Sequence, residues 1–126
     1  MTIPSELKYS KSHEWVKFLD STTAQIGITD YAQSELGDLV FVNLPQVGDA
    51  IVAGEVLCDV ESVKAVSDIY SPVTGEVATI NEVLFDAPES INETPYEAWL
   101  VTIKNITGKV ELLNAALYKI LIEEGD

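Results

Sequence analysis

Arginine is absent from the 126 residues, and the seven cations are all lysine, set against 21 Asp and Glu for a formal net charge of −14. A phosphate clamp is hard to build from this inventory, because the forked guanidinium is the group that suits it. The basic stripe that would track a nucleic-acid backbone is also missing, and a polyanion would be repelled over most of the surface. Cysteine is nearly as scarce. Cys58 stands alone, which excludes an internal disulfide framework and points to a reducing compartment. No apolar run approaches the roughly 20 residues that span a bilayer. The opening MTIPSELKYSKSHEWV has neither the apolar stretch of a signal peptide nor the Arg-rich pattern of a transit peptide. We therefore expect a cytoplasmic protein, a mature mitochondrial form being compatible too.

What is present is a globular composition, 47% hydrophobic and 22% charged. The length fits a single domain over residues 1–126, able to bury one core without disulfide or metal staples. The acid surplus suits a soluble monomer that meets larger partners by electrostatic steering. Solubility alone accounts for it equally well.

Strand signals dominate the first two thirds. TAQIGI (23–28), DLVFVNL (38–44), AIVAGEVLCDVES (50–62), AVSDIY (65–70), GEVATINEVL (75–84) and WLVTI (99–103) are rich in β-branched residues and broken by Gly, Pro and Asp. Such frequent short strands predict a sandwich or barrel. TDYAQSELG predicts one or two helical turns, capped by Thr29 or Asp30 and closed by Gly37. A C-terminal helix is expected over about 109–123, with Val110, Leu113, Leu117 and Ile120 on its apolar stripe and Leu112, Ala116 and Leu121 widening it. Segments 47–62 and 73–90 echo one another through a Gly-plus-acid turn and an EVL-x-D-x-ES run. Two such units related by a local twofold would leave the segment joining them exposed at one end, although β-rich segments also resemble one another by chance.

Lys64 lies in that joining segment. Between Lys17 and Lys104 it is the sole cation among fifteen Asp and Glu residues. A hairpin-tip lysine is ordinarily a solvated charge protecting a sheet edge. Here Val63 and Ala65 flank it, Glu61 and Ser62 precede it, and Ser67 and Asp68 follow. An accessible amine between small apolar residues, framed by acids, is a good substrate for a modifying ligase.

GITDYAQSELGDLVFVNLP, GDAIVAGEVLCDVESVKAVSDIYSPVTGEV and SHEWV together closely resemble the H-protein family of the glycine cleavage system, from about Leu7 to Trp99 and more weakly in the C-terminal helix. The resemblance implies a mainly β, lipoyl/biotinyl-type hammerhead sandwich with a short internal helix and a C-terminal helix, the lysine hairpin falling at about 59–70. It implies a non-catalytic carrier with lipoate on Lys64, and Glu61, Ser62, Val63 and Ala65 as ligase recognition. Biotin carriers place Met on both sides of their lysine, so Val63 and Ala65 argue against biotin.

The implied partners are the glycine decarboxylase, the aminomethyltransferase, the dihydrolipoyl dehydrogenase, and a lipoate ligase or lipoyl/octanoyl transferase. By the same resemblance Ser12, Glu14 and Asp68 form a cleft for the loaded arm, where acids suit an amine cation. A lipoyl donor in lipoate metabolism would carry the same hairpin, and an unmodified interaction domain would make it a coincidence.

Other residues read more plainly. His13 is expected to pack or hydrogen-bond locally, since one histidine rarely defines a metal site. Cys58 shares a strand face with Val56 and Val60 and reads as a small buried hydrophobe. Trp15 and Trp99 read as core. Two departures from the family pattern stand out: a shortened turn between Tyr96 and Trp99, and Lys109 at an apolar position, which would start the helix later.

Overall fold

The computed structural model describes residues 1–124; the expected domain limit at 126 falls outside them. In chain order the elements are β1 (Lys8–Tyr9), β2 (Glu14–Asp20), β3 (Thr23–Ile28), α1 (Asp30–Leu36), β4 (Leu39–Asn43), β5 (Ala50–Ile51), β6 (Val56–Ser62), β7 (Val66–Tyr70), β8 (Val73–Ile80), α2 (Val83–Asp86), α3 (Ser90–Glu93), β9 (Val101–Lys109) and α4 (Ala115–Glu123). One sheet runs β1-β2-β3-β9-β8-β5 and the other β4-β6-β7, with every pairing antiparallel. This is the mainly β sandwich that the strand signals predict.

Alternation explains how the two sheets meet. Val42, Val60 and Ile69 of the smaller sheet face Ile26, Ile28, Val77 and Ile103 of the larger, all buried in one cluster that Leu84 and Ile91 of the short helices help to close. Each such side chain contributes about 1.5–3 kcal/mol on burial. A second cluster, Leu7, Tyr9, Trp15 and Tyr118, forms beneath α4. Trp15 lies flat across Gly27, its cross-strand partner, where a Cβ would stand 2.5 Å from the indole ring. Only glycine leaves room for that approach.

Several boundaries differ from expectation. The run 50–62 is two strands, because the chain turns through Gly54 at φ 88, whose N–H donates to the Ser71 carbonyl. The register of β6 slips between Val56 and Cys58, so Leu57 and Cys58 are buried and Val56 is not. Cys58 and Val60 do face the core, and burial pushes the Cys58 thiol up to about 12, keeping it protonated. The expected strand 75–84 ends at Ile80, and its EVL becomes the cap and first residues of α2. The echo therefore holds for the paired strands, with Ala50 opposite Glu76, and fails at the EVL runs. β2 has no counterpart in the predicted strands.

The C-terminal helix starts at Ala115, not 109. Lys109 pairs with Val73 at the end of β9, Val110 N–H donates to the Pro72 carbonyl, and Asn114 caps the helix by accepting from Leu117 N–H at 2.9 Å. Its buried face is correspondingly rotated. Tyr118 is fully buried, with Ala115, Leu121 and Ile122 packed around it, while Leu117 and Ile120 are about half exposed. Trp15 is buried as expected; Trp99 is only partly so.

Candidate functional site

Ser62 shapes the turn that carries Lys64. Its N–H donates to the Ala65 carbonyl at 2.8 Å, and its Oγ accepts the N–H groups of Lys64 and Ala65 at 3.2 and 3.1 Å. Val63 N–H donates to the Asp38 carbonyl at 3.0 Å. Every backbone donor from 62 to 65 is therefore satisfied inside the protein, and the turn is held without the help of solvent. The side chains at the tip point the other way: Val63, Lys64 and Ala65 are exposed, and Val66 follows at 65% exposure. Glu61 sits between Phe41 and Val66 across the three strands.

The tip is braced from α1. Thr29 caps that helix, its Oγ1 accepting from Ala32 N–H at 3.1 Å. Gly37 ends it at φ 84 and ψ −165, so φ is positive as the C-terminal glycine signal predicts while ψ takes a value only glycine enters readily. A Cβ at Gly37 would lie 3.6 Å from Lys64 Cε, so the lysine stem passes over this residue. Asn92 of α3 secures the junction by donating to the Gly37 carbonyl at 2.9 Å and to Gln33 Oε1 at 3.0 Å, and by accepting from Leu39 N–H at 2.9 Å. Nothing local marks Asn92 as a brace, since its partners lie more than fifty residues away.

β7 leads from the tip to a cavity of about 300 Å³ lined by Tyr31, Ala32, Glu35 and Leu36 of α1, Ser67, Asp68 and Ile69 of β7, and Ser12 and His13. Ala32, Leu36 and Ile69 are apolar; Ser12, Glu35 and Asp68 bring polarity and negative charge. Ser12 and Asp68 thus share one cavity. Glu14 stands behind it. Its carboxylate is 2% exposed, accepting from Ser10 Oγ at 2.6 Å and Ser12 Oγ at 2.5 Å through one oxygen and from Tyr70 N–H at 3.3 Å through the other. Burial outweighs these three donors and pushes the carboxyl up to about 6. His13 adopts φ 76, and its Nδ1 lies 2.9 Å from the Tyr118 hydroxyl, a contact across the whole chain instead of a local one. The contribution of α1 to the cleft has a sequence signal in hindsight: Tyr31 with Glu35 and Ala32 with Leu36 are i,i+4 pairs on one helical face.

A family model described as the glycine cleavage H-protein matches residues 7–125. The chain belongs to the glycine cleavage H-protein family. It is 59% identical over 124 residues to the glycine cleavage system H protein of Lachnoclostridium phytofermentans, covering 98% of each chain. It is 56% identical over 119 residues to a probable glycine cleavage system H protein of Pyrococcus furiosus, covering 92% of this chain and 89% of that one. The crystal structure of a glycine cleavage system H protein from Mycobacterium marinum superposes with a TM-score of 0.89 at 38% identity, covering 96% of this chain and 99% of that one. H proteins are the lipoyl-bearing, non-catalytic carriers of the glycine cleavage system, and carriage is this chain's function.

Within that family assignment, the hairpin and the cleft suit a tethered group. The tip offers an exposed amine on a rigid turn. The cavity offers an apolar wall for a hydrocarbon and sulfur body, with acids for an amine. Among the described residues no helix is long and apolar enough to cross a membrane.

Proposed function

We propose that Lys64 Nζ carries the lipoyl group in amide linkage, and that the chain presents it in turn to the glycine decarboxylase, the aminomethyltransferase and the dihydrolipoyl dehydrogenase. The observation that carries this reading is the sole cation between Lys17 and Lys104 standing exposed on a turn whose backbone donors are all satisfied. The group supplies a disulfide that takes up the aminomethyl cargo and a dithiol that is later reoxidised.

The chain's own residues do the rest. Val63 and Ala65 give the lipoate ligase or lipoyl/octanoyl transferase a small apolar frame around the amine, and Glu61 an acid beside it. Ser62 acts through the shape of the turn, since its hydroxyl is engaged there. Holding one end of the arm on a rigid tip keeps its reactive end at high local concentration for each partner.

Ser12 and Asp68 hold the amine of the cargo, and Glu14 acts through Ser12. Asp68 and Ser12 meet it at the cavity wall, and Glu14 supports Ser12 from behind by accepting its hydroxyl proton. A carboxyl that burial holds near 6 gains from a nearby cation, which favours its ionised form. Excluding water from the cavity protects the cargo. Amide formation would leave fifteen acids and no cation between Lys17 and Lys104, so the partner faces that meet this region should be basic and the encounters weakened by salt. Relatives from bacteria and archaea support a cytoplasmic setting.

A peptide mass map across Lys64 tests the attachment. Incubation with lipoate, ATP and a lipoate ligase should add lipoyl at Lys64 alone, and Lys64→Arg should remove it without disturbing the fold. A parallel sample given biotin and a biotin ligase should remain unmodified. An unmodified Lys64 beside an active ligase would sink the assignment.

A further inference from the structure

Beside β7, the cleft lies between two pieces of chain, the turn bearing Ser12 and His13 and helix α1, which already meet where Thr29 N–H donates to the His13 carbonyl at 3.1 Å and where the His13 and Tyr31 rings lie 4.8 Å apart. Both are gripped by one hydroxyl. Tyr118 on α4 places its Oη 2.7 Å from Thr29 Oγ1 and 2.9 Å from His13 Nδ1. Thr29 is the residue whose Oγ1 caps α1, and α1 supplies Tyr31, Ala32, Glu35 and Leu36 to the cavity. His13 is itself a lining residue and sits at an unfavourable positive φ, a conformation that persists only where surrounding contacts over-determine it.

The Tyr118 ring is held just as firmly. It is fully buried and stacks on Tyr9 at 4.7 Å with 12° between planes, so the hydroxyl has a fixed position from which to grip. Burial raises the phenol well above its ordinary value, which keeps its proton in place. With one proton and two neighbours, the hydroxyl donates to one and accepts from the other, forming a directional chain from Thr29 through Tyr118 to His13 or the reverse.

We infer that Tyr118 of the C-terminal helix is a positioning residue for the arm cleft, adding through its Thr29 and His13 contacts a side-chain tie between the two walls to the backbone bond they already share. The inference rests on the arm-docking reading for its functional consequence, and on geometry alone for its structural one. It also assigns α4 a role: beyond covering the second cluster, the helix delivers the hydroxyl.

Tyr118→Phe keeps the ring and its stack and removes only the grip. In the unlipoylated chain, amide exchange at Ala32 and Gln33 should quicken by at least about fivefold, the local opening expected from losing one buried hydrogen bond, and the His13 ring resonances should shift. In lipoylated chain loaded with the aminomethyl cargo, release of formaldehyde and ammonia should quicken too. Val77→Ala, on β8 in the main cluster against which Ala32 and Leu36 also pack, serves as the control: it should lower the melting temperature at least as much while quickening α1 exchange less than Tyr118→Phe does and leaving the His13 resonances and cargo release unchanged.

Equal effects of the two substitutions on α1 exchange, or none from Tyr118→Phe, would overturn the inference. Asp68→Asn separates the two readings. If it too leaves cargo release unchanged, the docking reading fails, and α1 exchange alone decides the role of Tyr118.

Discussion

The lysine tip and the cleft lie along the same strand, β7, yet they are built on opposite plans. At the tip the backbone donors are all satisfied, two of them by the Ser62 hydroxyl, and the three side chains beyond it are exposed: four consecutive N–H groups have internal partners while Val63, Lys64 and Ala65 face solvent. At the cleft the side chains themselves form the structure. Glu14, Ser10 and Ser12 bond to one another and to Tyr70 N–H, and Tyr118, Thr29 and His13 make a second linked set. A carrier needs both. A tip whose shape does not depend on the side chains of Val63, Lys64 and Ala65 can show them to several enzymes, whereas on the proposed reading a cleft for a small charged cargo needs its polar groups fixed before the cargo arrives. The contrast implies that substitutions of the exposed tip side chains should alter recognition while leaving stability intact, and that those in the supporting network should alter both.

The largest stability effect is expected where the tip rests on its brace. Gly37 has φ 84 and ψ −165, so Gly37→Ala should destabilise by up to about 3 kcal/mol through backbone strain. The added methyl would only touch Lys64 Cε, at 3.6 Å, and so would not block the amine itself. Denaturant unfolding should show a lower midpoint at unchanged slope, with Lys64 still modifiable in the folded fraction. An unperturbed midpoint would mean that the brace can relax, and that the tip does not depend on it.

Next in size is the pH response of the cleft. Burial raises Glu14 from an ordinary 4.5 to about 6, so across that window the folded chain retains a proton that the unfolded chain has released. The sign follows: this group's contribution to stability is fully present below about 4.5 and is lost as pH climbs through about 6, by about 2 kcal/mol. A carboxylate held by an ion pair would slope the other way. Glu14→Gln cannot titrate, so the stability of the natural chain minus that of the variant should fall by about that amount between pH 4.5 and 7. A flat difference would show that the Ser10, Ser12 and Tyr70 donors fully offset the burial.

The tip was readable before the structure because its information is local. ESVKA between two alternating strands names the hairpin, and Thr29 and Gly37 mark α1 by cap chemistry. The cleft was only partly readable. Ser12, Glu14 and Asp68 came from family likeness, while His13, Glu35 and Tyr118 depend on contacts between distant segments; His13 and Tyr118 are separated by 105 positions. β2 escaped notice because its first three residues are buried and its last four exposed, a pattern without alternation. The start of α4 was misplaced because apolar spacing cannot tell a helical stripe from the end of β9, where ladder pairing to Val73 takes Lys109. The two EVL runs differ by tertiary demand: Leu57 packs from a strand and Leu84 from a helical turn, each reaching the same cluster.

The smallest expected effect gives the finest test of the contrast. Val63 is 71% exposed, and its N–H bonds the Asp38 carbonyl, a bond that any residue but proline could make. Val63→Ala should therefore move stability by less than about 0.5 kcal/mol. Against the lipoate ligase it removes two carbons from the apolar frame of the amine, worth about 0.8 kcal/mol each if the partner buries them, so kcat/KM should fall by up to roughly tenfold. Ionic strength separates this apolar part from the acidic surroundings. Added salt should weaken the encounter for both chains alike, because it screens the acids and not the methyl groups, and the ratio between them should hold constant. A ratio that collapses with salt would mean that Val63 acts by shaping the field around Lys64, and a loss of stability alongside the rate would mean that the tip is no freer of its side chains than the cleft.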